Sequence, residues 1–546
     1  MRRSRVYEAL VCCLALAGAC VPELPSGVPP EMELPRGFLE GSIPSDLDRA
    51  GGQAPTPPVP ARSSAAMPRT EVAGPSGEPS LFEIVGSTAA PGPAVAVPSI
   101  SEGEESPPLE RDAERVLVST SAHTPVYSAP SFSSTKIGYL RSGAVVSREA
   151  EPAARKGCSE GFYGVAPAGF VCVGRSASLD PQHPLVQIAR VRPARAKGLP
   201  YEYGRAASQA TAIYNGIPTS EEQEALNPSR VGQVPPPEWK TSSLGAVPEF
   251  LAGQRYSVGS SGERRPSTGI RAGRSVRDGG FAFLELFESD GRYFGLSTDF
   301  DVLPLAGLKR VVPSTFRGLV LGANAELPVA FVRSSQAYLY GGDVQRGLEP
   351  ERPIQFREGF QLTGSKERID GRVYHETRDG HWLLDSGLLV LIEAQQKTPS
   401  WATAGRTWID VSLLKQTLVA YEGTHAVYAS LVSTGVDGLG EPETTHSTVQ
   451  GQYLIHTKHV STQMKGDEEG DEFDLRDVPY VQYFNAGYAL HAAYWHDSFG
   501  TPRSHGCINL SPQDAQWLFE WTEPHVPREW HGAMSLRDGT LVSVHP

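Results

Sequence analysis

Near the C-terminus a cysteine stands among the groups that a nucleophilic thiol needs. The run is Ser504-His505-Gly506-Cys507-Ile508-Asn509-Leu510, and His491-Ala492-Ala493-Tyr494-Trp495 lies upstream across a short loop. A thiol attacks only after a neighbouring base takes its proton, and the oxyanion that forms needs amide donors. His491 and His505 are the nearby imidazoles, and Gly506 lets the backbone turn tightly beside the sulfur. Downstream, Ser511-Pro512-Gln513-Asp514 joins an N-cap serine, a proline in the first turn and an acid three places after the cap, which predicts a helix to about Glu520. The cysteine therefore sits on a loop just ahead of a helix, whose first amides add to thiolate stabilisation. Upstream, residues 478–484 and 488–495 flank Asn485-Ala486-Gly487 and read as a hairpin, which places His491 on a strand. His496, at the end of that strand, is expected to point into the loop.

The order His, spacer, Ser-His-Gly-Cys-x-Asn resembles the catalytic signature of the L,D-transpeptidases (YkuD-like domains), cysteine enzymes that cross-link bacterial peptidoglycan. The resemblance extends upstream through Trp408-Ile-Asp-Val-Ser, Leu418-Val-Ala-Tyr, the turn Glu422-Gly423-Thr424-His425, a strand at 426–432 and Ser433-Thr434-Gly435, and so covers residues 405–546. One departure is that Thr448-Val449-Gln450-Gly451 stands where the family often has Thr-Pro-x-Gly; it is expected to touch no catalytic atom. The resemblance implies a β-sandwich-like catalytic domain with a short helix after the cysteine. It implies that His491, oriented by the Ala492 carbonyl, takes the Cys507 proton to give an imidazolium–thiolate pair. The thiolate then attacks the third residue of a tetrapeptide stem, D-Ala leaves, and the thioester passes to an amine. Amides of Gly506 and Cys507 hold the oxyanion, and His505 and Ser504 shape the Cys loop. On the substrate side stand Ser504, Asn509, Tyr483 and Arg503, the last facing a stem carboxylate. No cofactor or metal is implied, and His446, His456 and His459 lack a zinc-ligand spacing. A papain-like wall endopeptidase is the rival enzyme, but its cysteine precedes its histidine, and here only His525, His531 and His545 follow. The rival without catalysis is a wall-binding lipoprotein.

The composition bounds the partners. A formal charge of -13 over 546 residues gives no general attraction to nucleic acid. Arg255, Arg264, Arg265, Arg271, Arg274 and Arg277 cluster in a Gly/Ser-rich stretch that reads as a solvated loop. Arg2, Arg3 and Arg5 precede an apolar run at 10–19 too short to span a bilayer, which reads as an export signal over residues 1–20. Ala17-Gly18-Ala19-Cys20 resembles a lipoprotein signal site, with Cys20 as a lipid anchor to the membrane; ordinary cleavage without lipid is the competing reading. Cys12 and Cys13 leave with the signal. If Cys20 is acylated and Cys507 is catalytic, only Cys158 and Cys172 remain to pair as a disulfide in an oxidising compartment.

The organisation is mainly β and multidomain. Residues 21–110 are rich in Pro, Gly, Ser and Glu without apolar period, and read as a disordered tether. From 111 to 178, short β-rich runs such as Val116-Leu-Val-Ser, Lys136-Ile-Gly-Tyr-Leu and Phe170-Val-Cys-Val are separated by turns and resemble a bacterial SH3-like barrel. Residues 179–328 are assigned no function, 329–398 read as a second SH3-like barrel, and 465–477 as a solvated acidic lid over the catalytic domain.

Overall fold

The computed structural model describes residues 115–546, apart from 184–185, 187–188, 190–192, 207–210, 227–238, 240–243, 252–255, 259–263, 267–268, 323–325, 395–398, 403–404 and 467–471. The signal segment, Cys20 and the tether at 21–110 lie outside the described residues. Among the described residues no helix is long and apolar enough to cross a membrane.

In the C-terminal part, hydrophobic alternation builds two sheets that close on one core. The first sheet runs in the order Leu319–Val320, His425–Leu431, Thr417–Glu422, Thr407–Ser412, Leu541–His545, Gly451–Leu454. Gly423, at φ +60, supplies the tight turn between its central hairpin strands, and Trp408 donates its indole N–H to the Gly423 carbonyl at 2.8 Å. The second sheet carries Thr457–Gly466, Phe473–Asn485, Tyr488–Ala492, Ile508–Leu510 and Gly532–Met534. Ile409, Val411, Leu418 and Ala420 from the first meet Tyr480, Phe484, Leu490, Ala492, Ile508 and Leu510 from the second. The helix Pro512–Trp521 packs Ala515, Leu518 and Phe519 into the same core. Ser511 caps that helix by accepting the Asp514 N–H, and the buried Asp514 carboxylate accepts from Tyr428, Ser430 and the Gly318 amide rather than closing a capping box.

Upstream, the strands expected at 116–178 are present but spread over two sheets. Val116–Ser119 lies between Val145–Ser147 and Ala177–Ser178, whereas Thr124–Tyr127 pairs with Lys136–Leu140 and Phe170–Cys172. Cys158 and Cys172 are joined by a disulfide beside Tyr127 and Phe162. Strands from Val329–Val332 to Leu389–Ile392 form one seven-stranded sheet. Neither region closes into a barrel among the described residues, because their edge strands pair outward or end open.

Within residues 179–328, the β-rich runs at 281–287 and 293–296 form the hairpin Gly280–Ser289 and Arg292–Ser297. Two sequence expectations are corrected. The arginine stretch is not one loop, since Arg264–Pro266 and Arg271–Arg274 are strands; Arg255 lies outside the described residues. Of the acidic run at 465–477, the centre at 467–471 lies outside the described residues; on either side of it Thr457–Gly466 and Phe473–Asn485 are paired strands, and Asp477 is a buried hydrogen-bond hub and not a solvated residue.

Candidate active site

His491 stands on Tyr488–Ala492, which pairs in parallel with Ile508–Leu510 so that His491 lies opposite Asn509. Strand side chains alternate between faces. Leu490, Ala492, Ile508 and Leu510 enter the core between the sheets, so His491 and Asn509 point to the other face. Cys507 and Ala489 pack there with Tyr483 and Trp495. The strand ends at Ala492 rather than at Trp495; beyond it the chain turns away and Trp495 lies with its ring 5.6 Å from that of His491.

His491 is 2% exposed, and its Nδ1 lies 3.2 Å from the Ala492 carbonyl oxygen. A carbonyl can only accept, so Nδ1 carries the proton and Nε2 is left as the acceptor. Burial holds His491 down to about 4, with the Ala492 bond opposing. Burial pushes the Cys507 thiol up to about 11, and the Ala489 backbone opposes by hydrogen bonding to the sulfur. Both shifts favour neutral partners. The Cys507 S–H donates to the Gly487 carbonyl at 3.6 Å.

The Cys loop is held from three directions. Ser504 Oγ accepts the Gly506 N–H at 3.0 Å and donates to the Cys507 carbonyl. Thr448 donates to the Gly506 carbonyl at 2.7 Å while accepting the Gly435 N–H at 2.9 Å. Arg503 and Ser504 donate their backbone N–H groups to the Thr434 carbonyl, and Ser433 and Asn509 exchange backbone bonds. Gly506 sits at φ +123, where a Cβ would come within 2.7 Å of the Tyr488 ring, so both conformation and space demand glycine. One correction follows: the Gly506 N–H expected at the oxyanion is engaged by Ser504.

The remaining residues named from sequence are more dispersed. Tyr483 is half-buried beside the thiol, and burial together with Cys507 raises its phenol to about 12. Its ring stands 5.7 Å from His459, whose Nδ1 meets Tyr139 Oη at 2.9 Å. His505 is exposed, with its ring 4.7 Å from His446 and 5.0 Å from Phe473. The Arg503 side chain is exposed. Of the histidines that follow the cysteine, His531 lies with Nε2 at 3.0 Å from the Ser461 carbonyl, His545 pairs with Asp410 at 3.1 Å, and His525 is exposed. Sequence reasoning missed Tyr488, Thr448 and Trp495. The first two act through backbone contacts with Gly506, which no spacing rule encodes; Trp495 sits within the quoted motif and was legible as an aromatic beside the histidine.

Residues 406–544 match the YkuD family, described as the L,D-transpeptidase catalytic domain. YciB of Bacillus subtilis (strain 168), a provisionally named L,D-transpeptidase, is 27% identical over 130 residues, which is 22% of this chain and 62% of that protein. The chain thus spans less than two thirds of that relative. Among solved structures, an L,D-transpeptidase from Mycobacterium smegmatis is 18% identical, with 43% of this chain and 97% of that chain covered at a TM-score of 0.21. A mutant L,D-transpeptidase of Enterococcus faecium is 22% identical, covering 26% of this chain and 50% of that chain at a TM-score of 0.20. What the family match identifies is a segment: residues 406–544 carry an L,D-transpeptidase catalytic domain.

Proposed function

We propose that the protein is an exported peptidoglycan L,D-transpeptidase with Cys507 as nucleophile and His491 as general base. The observation that carries the reading is the His491 bond to Ala492, which leaves Nε2 free to accept on the face where Cys507 stands. In the proposed reaction the Cys507 proton passes to His491 Nε2 as sulfur bonds to the carbonyl carbon of the third stem residue. The imidazolium then protonates the departing D-Ala nitrogen as the C–N bond breaks, leaving a thioester. An acceptor amine attacks the thioester, gives its surplus proton to His491, and the thiolate leaves to recover it. A start from the neutral pair fits this sequence, since the proton moves with bond formation. Ser504, Asn509, Tyr483 and Arg503 form the substrate side, with His505 shaping the Cys loop. No cofactor takes part. The reading extends to lipid anchoring at Cys20 and to SH3-like modules at 111–178 and 329–398 that set the domain against the wall; replacing Cys20 should then move the protein out of the membrane fraction.

The test is intact-mass spectrometry of the purified protein with a disaccharide tetrapeptide. A Cys507 adduct formed with loss of D-Ala is expected in the wild type and none in Cys507→Ala. Turnover retained by Cys507→Ala would sink the assignment.

A further inference from the structure

The loop at 493–503 joins the strand that carries His491 to the turn that carries Cys507, so its course sets how base and nucleophile meet. Trp495 lies in this loop with its ring 5.6 Å from that of His491. His496 packs inside it, with its ring 5.2 Å from Phe499 and its Nε2 2.9 Å from the Asn509 carboxamide nitrogen. From within the catalytic domain, the Ser433 hydroxyl donates to the Ser498 carbonyl at 3.0 Å, and the Gly500 N–H donates to the Val432 carbonyl at 2.8 Å. Other holds come from outside residues 406–544. Arg205 donates to the Trp495 carbonyl at 3.2 Å, Ser314 Oγ to the Asp497 carboxylate at 2.5 Å, and Arg333 to the Gly500 carbonyl at 2.6 Å. Arg357 donates to the Asp497 carboxylate at 2.7 Å and to the Asp497 carbonyl at 3.2 Å.

Arg357 has the fullest grip of these. It is 6% exposed, and its guanidinium carbon lies over the rings of Phe356, Phe316 and Phe499 at 4.8, 5.0 and 5.8 Å. Phe499 belongs to the loop itself, so one side chain holds the loop through a carboxylate, a carbonyl and an aromatic ring. A planar fork with an apolar face can make all three contacts, whereas an ammonium cannot. The backbone of Arg357 stands at φ +64 in the turn between Gly347–Pro353 and Gly359–Ile369, and its N–H donates to the Val332 carbonyl at 2.7 Å. A residue with a side chain rarely adopts that conformation, and the surrounding contacts must hold it there.

We propose that Arg357 is a positioning residue for acyl transfer: by gripping Asp497 and Phe499 it fixes the loop at 493–503, and with it the alignment of His491 and Cys507. The seven-stranded sheet at 329–392 is then part of the catalytic unit, beyond any role in setting that unit against the wall. The inference rests on Cys507 and His491 being nucleophile and base.

The test uses the full chain as wild type, Arg357→Met and Arg357→Lys, with thioester formation from a disaccharide tetrapeptide followed at saturating and limiting substrate across neutral pH. The saturating rate is expected to fall about 100-fold in Arg357→Met, as when reacting groups are displaced by about an ångström, while the half-saturating concentration stays near wild type. Arg357→Lys, which keeps the charge without the fork, should recover part of the loss. In the wild type the rate should be flat around neutrality, because the proton passes to His491 as the bond forms. In Arg357→Met the residual rate should rise about tenfold per pH unit, because it runs through thiolate formed without the base. Iodoacetamide alkylation of Cys507 needs no base and should match the wild type in both variants. If Arg357→Met does not fold, Arg357→Lys decides, with a lowered saturating rate and the steeper pH profile expected. A saturating rate at the wild-type level, a loss confined to the half-saturating concentration, an unchanged pH profile or a parallel fall in alkylation would each overturn the inference while leaving the nucleophile assignment standing. A wild type that forms no thioester overturns the nucleophile reading and this inference with it.

Discussion

At the scale of residues, the protein surroundings of the thiol and of its base both favour the uncharged forms, with His491 fully buried and Cys507 half-buried. Cys507 is pushed up to about 11 and His491 down to about 4, so proton transfer between them at rest is uphill and becomes favourable only as the sulfur forms its bond to carbon. This gives a sign that can be read directly. A group whose pKa is raised is protonated below that value, so the reactive thiolate fraction at neutral pH is small and grows with pH. Iodoacetamide alkylation of Cys507 should therefore be slow near pH 7 and rise about tenfold per pH unit towards pH 10, with no plateau below neutrality. A flat, fast profile between pH 5 and about 8 would instead mark a preformed ion pair, and would show that the Gly487 carbonyl does not keep the sulfur protonated.

At the scale of elements, the helix after the cysteine is secured at both ends by buried side chains. Ser511 caps its start, and Lys458, fully buried on Thr457–Gly466, caps its end by donating to the carbonyls of Phe519 and Thr522, each at 2.6 Å, and to the Thr522 hydroxyl at 2.9 Å. The ammonium thus meets the negative end of the helix dipole. Burial nevertheless lowers its pKa to about 7. The unfolded chain, with its lysine near 10.4, binds more protons than the fold between about pH 7 and 10, so this residue makes stability rise with pH across that window. Lys458→Met orphans the helix-end carbonyls at a cost of about 1–3 kcal/mol. The melting-temperature gap between wild type and this variant should widen from pH 7 to 10, and a gap that narrows would contradict the sign. Neither contact was legible beforehand, since a lone lysine on a strand carries no signal of what lies beneath it. The opposite holds for local devices: the Ser-Pro-x-Asp helix start and the hairpin around residues 485–487 could be read because their partners are a few residues apart. The strands at 281–287 and 293–296 were legible for the same reason, and their turn shows it. Asp290-Gly291 and Asp370-Gly371 both occupy two-residue hairpin turns with positive φ, joining Gly280–Ser289 to Arg292–Ser297 and Gly359–Ile369 to Arg372–Thr377. An Asp-Gly pair between β-rich runs is a strong hairpin signal, and the two segments share it, each opening Gly-Phe and turning at Asp-Gly-Arg.

At the scale of the whole described chain, one carboxylate joins three stretches that sequence reading treated as separate. Asp477, on the catalytic strand Phe473–Asn485, accepts from Arg141 of the 111–178 region, from Thr298 of the 179–328 region and from Ser461 on the adjacent strand at 2.7 Å. Tyr203 donates to its backbone carbonyl at 2.7 Å, and His531 Nε2 lies 3.3 Å from the same guanidinium. Arg141 and its hydrogen bonds hold the carboxyl well below the usual range despite its burial. A depressed pKa means that stability is fully present above the unfolded value of about 3.9 and is lost as pH falls through the folded one, so the joint should loosen in acid. The energetic asymmetry of buried pairs supplies the decisive comparison. Asp477→Asn leaves Arg141 charged and buried without its counterion, which costs about 3–5 kcal/mol, whereas replacing both partners by apolar side chains of similar volume is often close to neutral. The expected order in thermal unfolding is therefore wild type close to the Arg141→Met/Asp477→Leu double variant, with Asp477→Asn well below both and cleaved sooner by protease between residues 141 and 298. If the double variant melts as low as Asp477→Asn, the joint depends on its hydrogen-bond geometry with Thr298 and Ser461 and not on charge compensation.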